Sequence, residues 1–167
     1  MFARVPLFAR AAWLRRRRGN LPAISPGELA DATPFAVLHA ASFRRGWSAE
    51  EFERLLVEHN VVADRAMAGG GLAGFVVSRI AADQAEILSI AVDPAYRGQG
   101  IARRMLDVHL RRLALYGVAV VFLEVDERNE PARRLYAGFG FTKVGRREAY
   151  YGGAAGAAAL VLRHDLA

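Results

Sequence analysis

Residues 86–102 read Glu-Ile-Leu-Ser-Ile-Ala-Val-Asp-Pro-Ala-Tyr-Arg-Gly-Gln-Gly-Ile-Ala. The first seven, Glu86 to Val92, are apolar and β-prone, and the strand they predict ends at Asp93-Pro94. A long helical stretch follows from about Gly100 to Tyr116 and stops at Gly117. Between strand and helix stands Arg97-Gly98-Gln99-Gly100-Ile101-Ala102. Glycines at such a junction let the backbone come close to a ligand. The free N–H groups of a helix start, reinforced by the helix dipole, favour an anion such as a diphosphate. No Gly-Lys-Ser/Thr follows, so this is not a Walker loop, and the third glycine of a GxGxxG dinucleotide fingerprint is missing. Taken alone, two glycines before a helix fit an ordinary strand-to-helix turn equally well.

Working outward, the N-terminal side predicts a helix near Asp31 to Ser42, with Asp31 as candidate N-cap. Ser48-Ala-Glu-Glu51 has the serine and glutamate of a capping box, and Phe52, Leu55 and Leu56 continue at helical spacing to about Glu58. Val61–Ala68 and Leu72–Ala81 read as two strands joined through Gly69-Gly70-Gly71. On the C-terminal side, Val118–Val125 is a nearly unbroken apolar run, as expected of an interior strand covered on both faces. Asn129-Glu-Pro131 opens a short helix ending near Gly138. Two closing strands are expected over Lys143–Tyr151 and Ala157–His164, with a flexible Gly- and Ala-rich segment from Gly152 between them. The order is helix, helix, three strands, helix, strand, helix, two strands: one mixed α/β domain without internal repeats.

Composition bounds the rest. With 167 residues, 53% apolar and 24% charged, the chain suits one folded domain and excludes disorder over most of its length. Cysteine is absent, which removes disulfides, thiolate metal sites and cysteine nucleophiles and fits a reducing compartment, here the cytoplasm. No apolar run approaches the ~20 residues of a membrane-spanning helix. Charge is uneven. Arg4, Arg10 and Arg15 to Arg18 all precede the first acidic residue, Glu28, and they account for the whole formal net charge of +6. Residues 1–24 therefore read as a basic arm ahead of a domain over 25–167. Phe2, Val5, Leu7, Phe8, Trp13 and Leu14 alternate with the arginines, in the manner of a surface-seeking segment. A flexible tail, an Arg-rich transit peptide, and weak, salt-dependent contact with RNA or anionic membrane are all consistent with it.

Placed in this strand–turn–helix setting, Val92-Asp-Pro-x-Tyr-Arg-Gly-Gln-Gly-Ile-Ala102 resembles the acetyl-CoA signature of the GNAT N-acetyltransferases, Arg/Gln-x-x-Gly-x-Gly/Ala. Leu123-Glu-Val-Asp-Glu-Arg-Asn129 and Ala132-x-x-Leu-Tyr136-x-x-Phe-Gly140-Phe141 are similar to later motifs of that superfamily. Trp47-Ser48, the Leu-Glu-Val stretch with Asn129, and Tyr150-Tyr151 narrow the likeness to the RimI-type protein N-terminal acetyltransferases. The resemblance covers about residues 24–166. It implies a mixed, mostly antiparallel sheet of six to seven strands, about four flanking helices, and a central strand pair splayed at a bulge.

The same resemblance implies site roles. Backbone groups of Ile90, Ala91 and Val92 would pair with the pantetheine amides of acetyl-CoA as an added strand does. The N–H groups of Gly98, Gln99, Gly100, Ile101, Ala102 and Arg103 would take the pyrophosphate, with the Arg97 and Arg103 side chains adding charge. Arg103 reads equally as part of a solvated helix face, and Asn129 as a plain N-cap or as a cofactor contact or both. Glu124 interrupts an apolar strand, where burial is expected to favour its protonated form; it falls on the family's proton acceptor. A strand-end carboxylate reaching solvent or an arginine is the other reading. Tyr136 would be the general acid for the departing CoA thiolate, a modestly uphill transfer for an ordinary phenol; by position alone it also reads as a core aromatic. Trp47, Tyr150 and Tyr151 would wall a groove for a peptide N-terminus, or pack in the core and hairpin. Relatives commonly carry proline before the Trp-Ser pair, where this chain has Gly46 behind Arg44-Arg45, which implies a looser and more basic groove.

No serine or cysteine nucleophile with its own base is evident, so direct attack by a neutral amine is expected. At pH 7 a protein α-amine is roughly 10–20% neutral and a lysine about once in 2,500 molecules, a difference of ~3 kcal/mol in deprotonation work. One glutamate acting through water suits the smaller task. The implied target is a protein N-terminus, typically of a ribosomal protein; a lysine, a small-molecule amine, or a binding module without turnover are the competing readings. His39, His59, His109 and His164 lack metal-ligand spacing, so no metal is expected and they read as surface or core residues.

Overall fold

The computed structural model describes residues 22–148 and 158–166. Its centre is one seven-stranded sheet: β1 (Ala23–Pro26), β2 (Val61–Ala68), β3 (Gly71–Ala81), β4 (Gln84–Val92), β5 (Val120–Asp126), β6 (Thr142–Arg147) and β7 (Ala159–Asp165). They lie in the order β1-β2-β3-β4-β5-β7-β6. Four helices flank them: α1 (Ala32–Ser42), α2 (Ala49–Leu56), α3 (Ile101–Leu115) and α4 (Glu130–Ala137). Neighbouring strands are antiparallel except β4 and β5, which run parallel and are joined through α3.

Each face of the sheet buries its own core. Met105, Leu106, Leu110 and Leu113 of α3 lock onto Val76, Ile87, Val121, Leu123 and Val125, with Tyr136 and Phe141 from the α4 region. On the other face α1 and α2 bring Phe35 and Phe52 onto Phe75, Val77 and Ala91. Phe35 stacks on Phe75 at 4.6 Å, and Phe52 meets both rings edge-on. The α2 capping box forms as its sequence predicts. Ser48 Oγ accepts the Glu51 N–H at 3.2 Å, and Glu51 Oε2 accepts the Ser48 N–H at 2.7 Å.

Three differences from the sequence reading have physical causes. β1 takes Ala23 and Ile24, which the sequence reading gave to the arm, and pairs them with Met67 and Ala66. Four residues at a sheet edge, ending in proline, give no alternation to detect. Asp31 sits at the N-cap of α1 but makes no cap bond. Its carboxylate instead accepts the Glu28 N–H at 2.7 Å and binds Arg65 Nη1 at 2.7 Å, closing the short 3-10 turn Leu29–Asp31. Third, the structure assembles a serine with a histidine and an aspartate. Ser78 Oγ lies 2.7 Å from His109 Nε2, His109 Nδ1 lies 2.7 Å from Asp64 Oδ2, and Arg112 Nη2 reaches Asp64 Oδ1 at 2.9 Å. Ser78, His109 and Asp64 are all 0% exposed, so no substrate reaches this serine. The chain of bonds fastens α3 to β2 and β3, fixing the helix whose other end faces the glycine turn.

Candidate active site

Gln84, Ala85, Glu86 and Ile87 of β4 pair with Val120, Val121, Phe122 and Leu123 of β5, and the pairing stops there. At the same point β4 is bulged: Val77 of β3 faces Ser89 and Ser78 faces Ile87, leaving Leu88 without a partner. The extra residue bends β4 away from β5. From Leu88 to Val92 the strand is held by β3 alone, while Glu124, Val125 and Asp126 are held by β7. The two strands diverge into a wedge.

Antiparallel alternation sets what faces the wedge. Asp93 donates its N–H to the Ala73 carbonyl at 2.9 Å, which places Ala73–Asp93 and Phe75–Ala91 among the bonded pairs and Val76–Ile90 and Gly74–Val92 among the non-bonded ones. The N–H and C=O of Ile90 and Val92 therefore point into the gap, and those of Ala91 point to β3. This corrects the expected contribution of Ala91: its backbone is already engaged, and its side chain is buried under α1. Arg97 Nε donates to the Val92 carbonyl at 3.0 Å, so a donor already sits where an extended ligand's amide would pair.

At the mouth of the wedge the glycine turn has the geometry its sequence predicts. Gly98 and Gly100 have φ of 71° and 77°, left-handed values that favour glycine, and a Cβ on either would meet no atom within 4 Å. The space beside them is open. Arg104 N–H is the first of α3 to find a carbonyl, that of Gly100 at 3.1 Å, so the N–H groups of Ile101, Ala102 and Arg103 are free of helical partners. No acidic residue occupies the first turn. Gln99 Nε2 folds back on the Ala95 carbonyl at 3.3 Å, bracing the turn from behind. The Arg103 guanidinium lies over the Phe139 ring at 5.2 Å, so in this structure it ties α3 to the end of α4. Asn129 is an N-cap in fact: its Oδ1 accepts the Ala132 N–H at 3.2 Å.

Glu124 lies on the unpaired part of β5, and Tyr136 lies in the core on the opposite face of the sheet. Along β5 the residues Val121, Leu123 and Val125 face α3, so Glu124 is on the face of α1 and α2. Its side chain is 36% exposed and its Oε1 lies 3.0 Å from Arg147 Nε on β6. The desolvation expected of it is absent, because β6 and β7 leave that face of β5 open to water and an arginine. Arg147 was not singled out in the sequence; its pairing with Glu124 spans β7, a contact between residues 23 apart that only the strand order creates. Tyr136 is 5% exposed within the α3–α4 core, its ring 5.6 Å from Phe141. Burial pushes its phenol up to about 12, a weaker acid than the ordinary tyrosine the sequence reading assumed.

On the Glu124 face, Trp47 and Leu88 share a cleft of about 400 Å³ with Leu55, Arg54, Glu58 and Arg79. Trp47 thus combines core packing with cleft lining. Tyr150 and Tyr151 lie outside the described residues, as do residues 1–21 of the basic arm and the Gly-rich segment after Tyr151. Among the described residues no group of three or more His, Asp or Glu is placed to hold a metal ion, and no helix is long and apolar enough to cross a membrane.

The sheet is splayed at its parallel pair, and the unpaired strand edge leads to a glycine turn with free N–H groups, a layout suited to an extended, amide-bearing ligand with a phosphorylated end. The sequence profile described as the acetyltransferase (GNAT) family matches residues 29–141, and the chain belongs to that family. It is 39% identical over 142 residues to the N-alpha-acetyltransferase RimI of Mycobacterium tuberculosis, covering 81% of this chain and 87% of that one. It is 38% identical over 82 residues to the [ribosomal protein bS18]-alanine N-acetyltransferase of Escherichia coli, covering 49% of this chain; the chain spans 55% of the length of that relative. The crystal structure of the ribosomal-protein-S18-alanine N-acetyltransferase from Escherichia coli superposes with a TM-score of 0.81 at 27% identity, covering 88% of this chain and 95% of that chain.

Proposed function

We propose that this protein transfers the acetyl group of acetyl-CoA to the N-terminal α-amine of a protein, a ribosomal protein foremost, in the cytoplasm. The observation that carries the reading is the end of β4–β5 pairing at Ile87–Leu123, which leaves the edge groups of Ile90 and Val92 without a strand partner. The names of the two RimI-type relatives support the α-amine as acceptor and a ribosomal protein as its bearer.

The residues fit the cofactor. Ile90 and Val92 would hold the pantetheine amides, with Arg97 Nε yielding the Val92 carbonyl. The Gly98–Arg103 turn would hold the pyrophosphate, with Arg97 free to add its charge there. Acetyl-CoA supplies a thioester, whose acyl carbon accepts an amine and whose sulfur leaves as a thiolate. Glu124 takes a proton from the incoming ammonium, directly or through one water, and Arg147 Nε, 3.0 Å from Glu124 Oε1, orients the carboxylate. Tyr136 works from the other face. A proton passed in full from a phenol at about 12 to a thiol near 8.5 climbs ~5 kcal/mol, so the phenol acts by donating a hydrogen bond to charge developing on sulfur. Amine and leaving group thus occupy opposite faces of the sheet. Glu124 passes that first proton, taken from the ammonium, to solvent before attack; the N–C bond then forms as the C–S bond breaks, the second proton lost by nitrogen goes to Glu124, and CoA leaves as a thiolate that solvent protonates.

The test is incubation of the full chain with acetyl-CoA and a panel of N-terminal peptides, lysine peptides and polyamines, read by mass spectrometry. Acetylation of α-amines, lost in Glu124→Gln, is expected. Transfer confined to lysines or small amines would refute the assigned acceptor. Tight acetyl-CoA binding without turnover on any amine would make the domain a binding module.

A further inference from the structure

His39 is 4% exposed in the last turn of α1, and nothing in the acetyl transfer described above uses it. Its Nδ1 accepts the Trp47 N–H at 3.0 Å. Its ring lies between two aromatic rings of the turn that follows, at 4.3 Å and 28° from Phe43 and at 4.6 Å and 17° from Trp47. Phe52 closes on it edge-on at 5.6 Å. One side chain therefore grips both ends of the Phe43–Trp47 turn, and the turn is folded tightly back: a Cβ on Gly46 would come within 2.9 Å of Ala40 Cα. Trp47 in turn lines the cleft that reaches Leu88, the bulge residue at the apex of the wedge.

We propose that His39 is a positioning residue for the acceptor substrate: in its neutral form it locks Trp47 as the wall of the substrate cleft, and protonation at Nδ1 releases the turn and weakens acceptor binding. The proposal rests on the N-acetyltransferase reading. An imidazole accepting a backbone N–H at Nδ1 carries its proton on Nε2, and a second proton would have to occupy the nitrogen that Trp47 uses. The surroundings favour the neutral ring. Burial lowers the His39 pKa below 6.5, while the Glu51 carboxylate on α2 pulls the other way. The remaining side chains packed on the ring, Phe43, Trp47 and Phe52, with Phe75 of β3 beyond them, carry no charge. With the folded pKa below the free value, the lock is complete above pH 6.5 and is lost as pH falls through the lowered value.

The test compares the wild type, His39→Asn and His39→Phe from pH 5 to 8, with an N-terminal peptide and acetyl-CoA. Asn keeps an acceptor at the Nδ1 position but does not titrate; Phe keeps the ring and removes the acceptor. The substrate and every other group of the site are the same in all three, so the ratio of peptide KM to that of His39→Asn isolates the imidazole. The ratio is expected to stay near one at pH 7–8 for the wild type and to rise about tenfold as pH falls below 6.5. For His39→Phe it should be about tenfold at every pH, with kcat and the acetyl-CoA KM within twofold of wild type. A second readout needs no turnover. In a Trp13→Phe background, Trp47 fluorescence should titrate with a midpoint below 6.5, and His39→Asn should abolish the titration. A wild-type peptide KM in His39→Phe, or a ratio flat with pH, overturns the proposal, as does Trp47 fluorescence that does not titrate. A fluorescence titration without turnover on any amine would leave the lock standing and remove the acetyltransferase reading instead.

Discussion

The first half of the β4–β5 pair and the second half are built from the same two strands, and they do opposite things. Gln84–Ile87 and Val120–Leu123 form a closed parallel ladder over the α3 core; Leu88–Val92 and Glu124–Asp126 share no pairing. A single unpartnered residue, Leu88, separates the two behaviours. The lesson is that the fold spends hydrogen bonds at one end to hold open a gap at the other. Leu123 and Glu124, adjacent in the chain, should therefore answer to different assays.

The widest separation is expected from that adjacent pair. Glu124→Gln should lower kcat by about 10²- to 10⁴-fold while the melting transition stays within a degree or two, since its carboxylate is open to water and paired only with an exposed arginine. Leu123→Ala, by contrast, removes a side chain 1% exposed at the closed end and should cost 2–5 kcal/mol of stability in denaturant titration, with kcat per folded molecule unchanged. If both substitutions moved stability and turnover together, the division between the halves would fail. Tyr136→Phe should reduce kcat by about 10²-fold with the acetyl-CoA KM unchanged. Because burial holds the phenol protonated up to about 12, the wild-type rate should show no decline attributable to it between pH 8 and pH 10. A basic limb in that range, absent from Tyr136→Phe, would contradict the assignment. The smallest effect is expected at the mouth: Gly100→Ala imposes an L residue at φ 77°, costs about 1–2 kcal/mol there, and should raise the acetyl-CoA KM about tenfold without altering the peptide KM.

What could be read in the sequence follows the range of the interactions involved. The glycine turn, the α2 capping box and the Asn129 cap are local devices, written within three or four residues, and each takes the conformation its sequence predicts. The strand that closes against β4 was legible because Val118–Val125 is a nearly unbroken apolar run. β1 was not, being four edge residues whose partners lie 38 to 44 positions away. The sequence leaves the Glu124 environment open between burial and a carboxylate reaching solvent or an arginine, and the structure shows the second: an apolar strand interrupted by a carboxylate says which face the carboxylate takes, but the openness of that face depends on where β6 and β7 return. The Ser78–His109–Asp64 chain and the His39–Trp47 lock join residues 31, 45 and 8 positions apart, and no spacing rule connects them. The same distance in sequence that hides such contacts makes them sensitive reports on the folded state.

The central claim concerns one unpaired edge, and amide hydrogen exchange reads it residue by residue. In the free protein the Ile90 and Val92 amides should exchange quickly while the Ala91 amide, bonded to β3, exchanges slowly; saturating acetyl-CoA should protect Ile90 and Val92 and leave Ala91 as it was. Protection of all three amides before any cofactor is added, or no change at Ile90 and Val92 on saturation, would contradict the account.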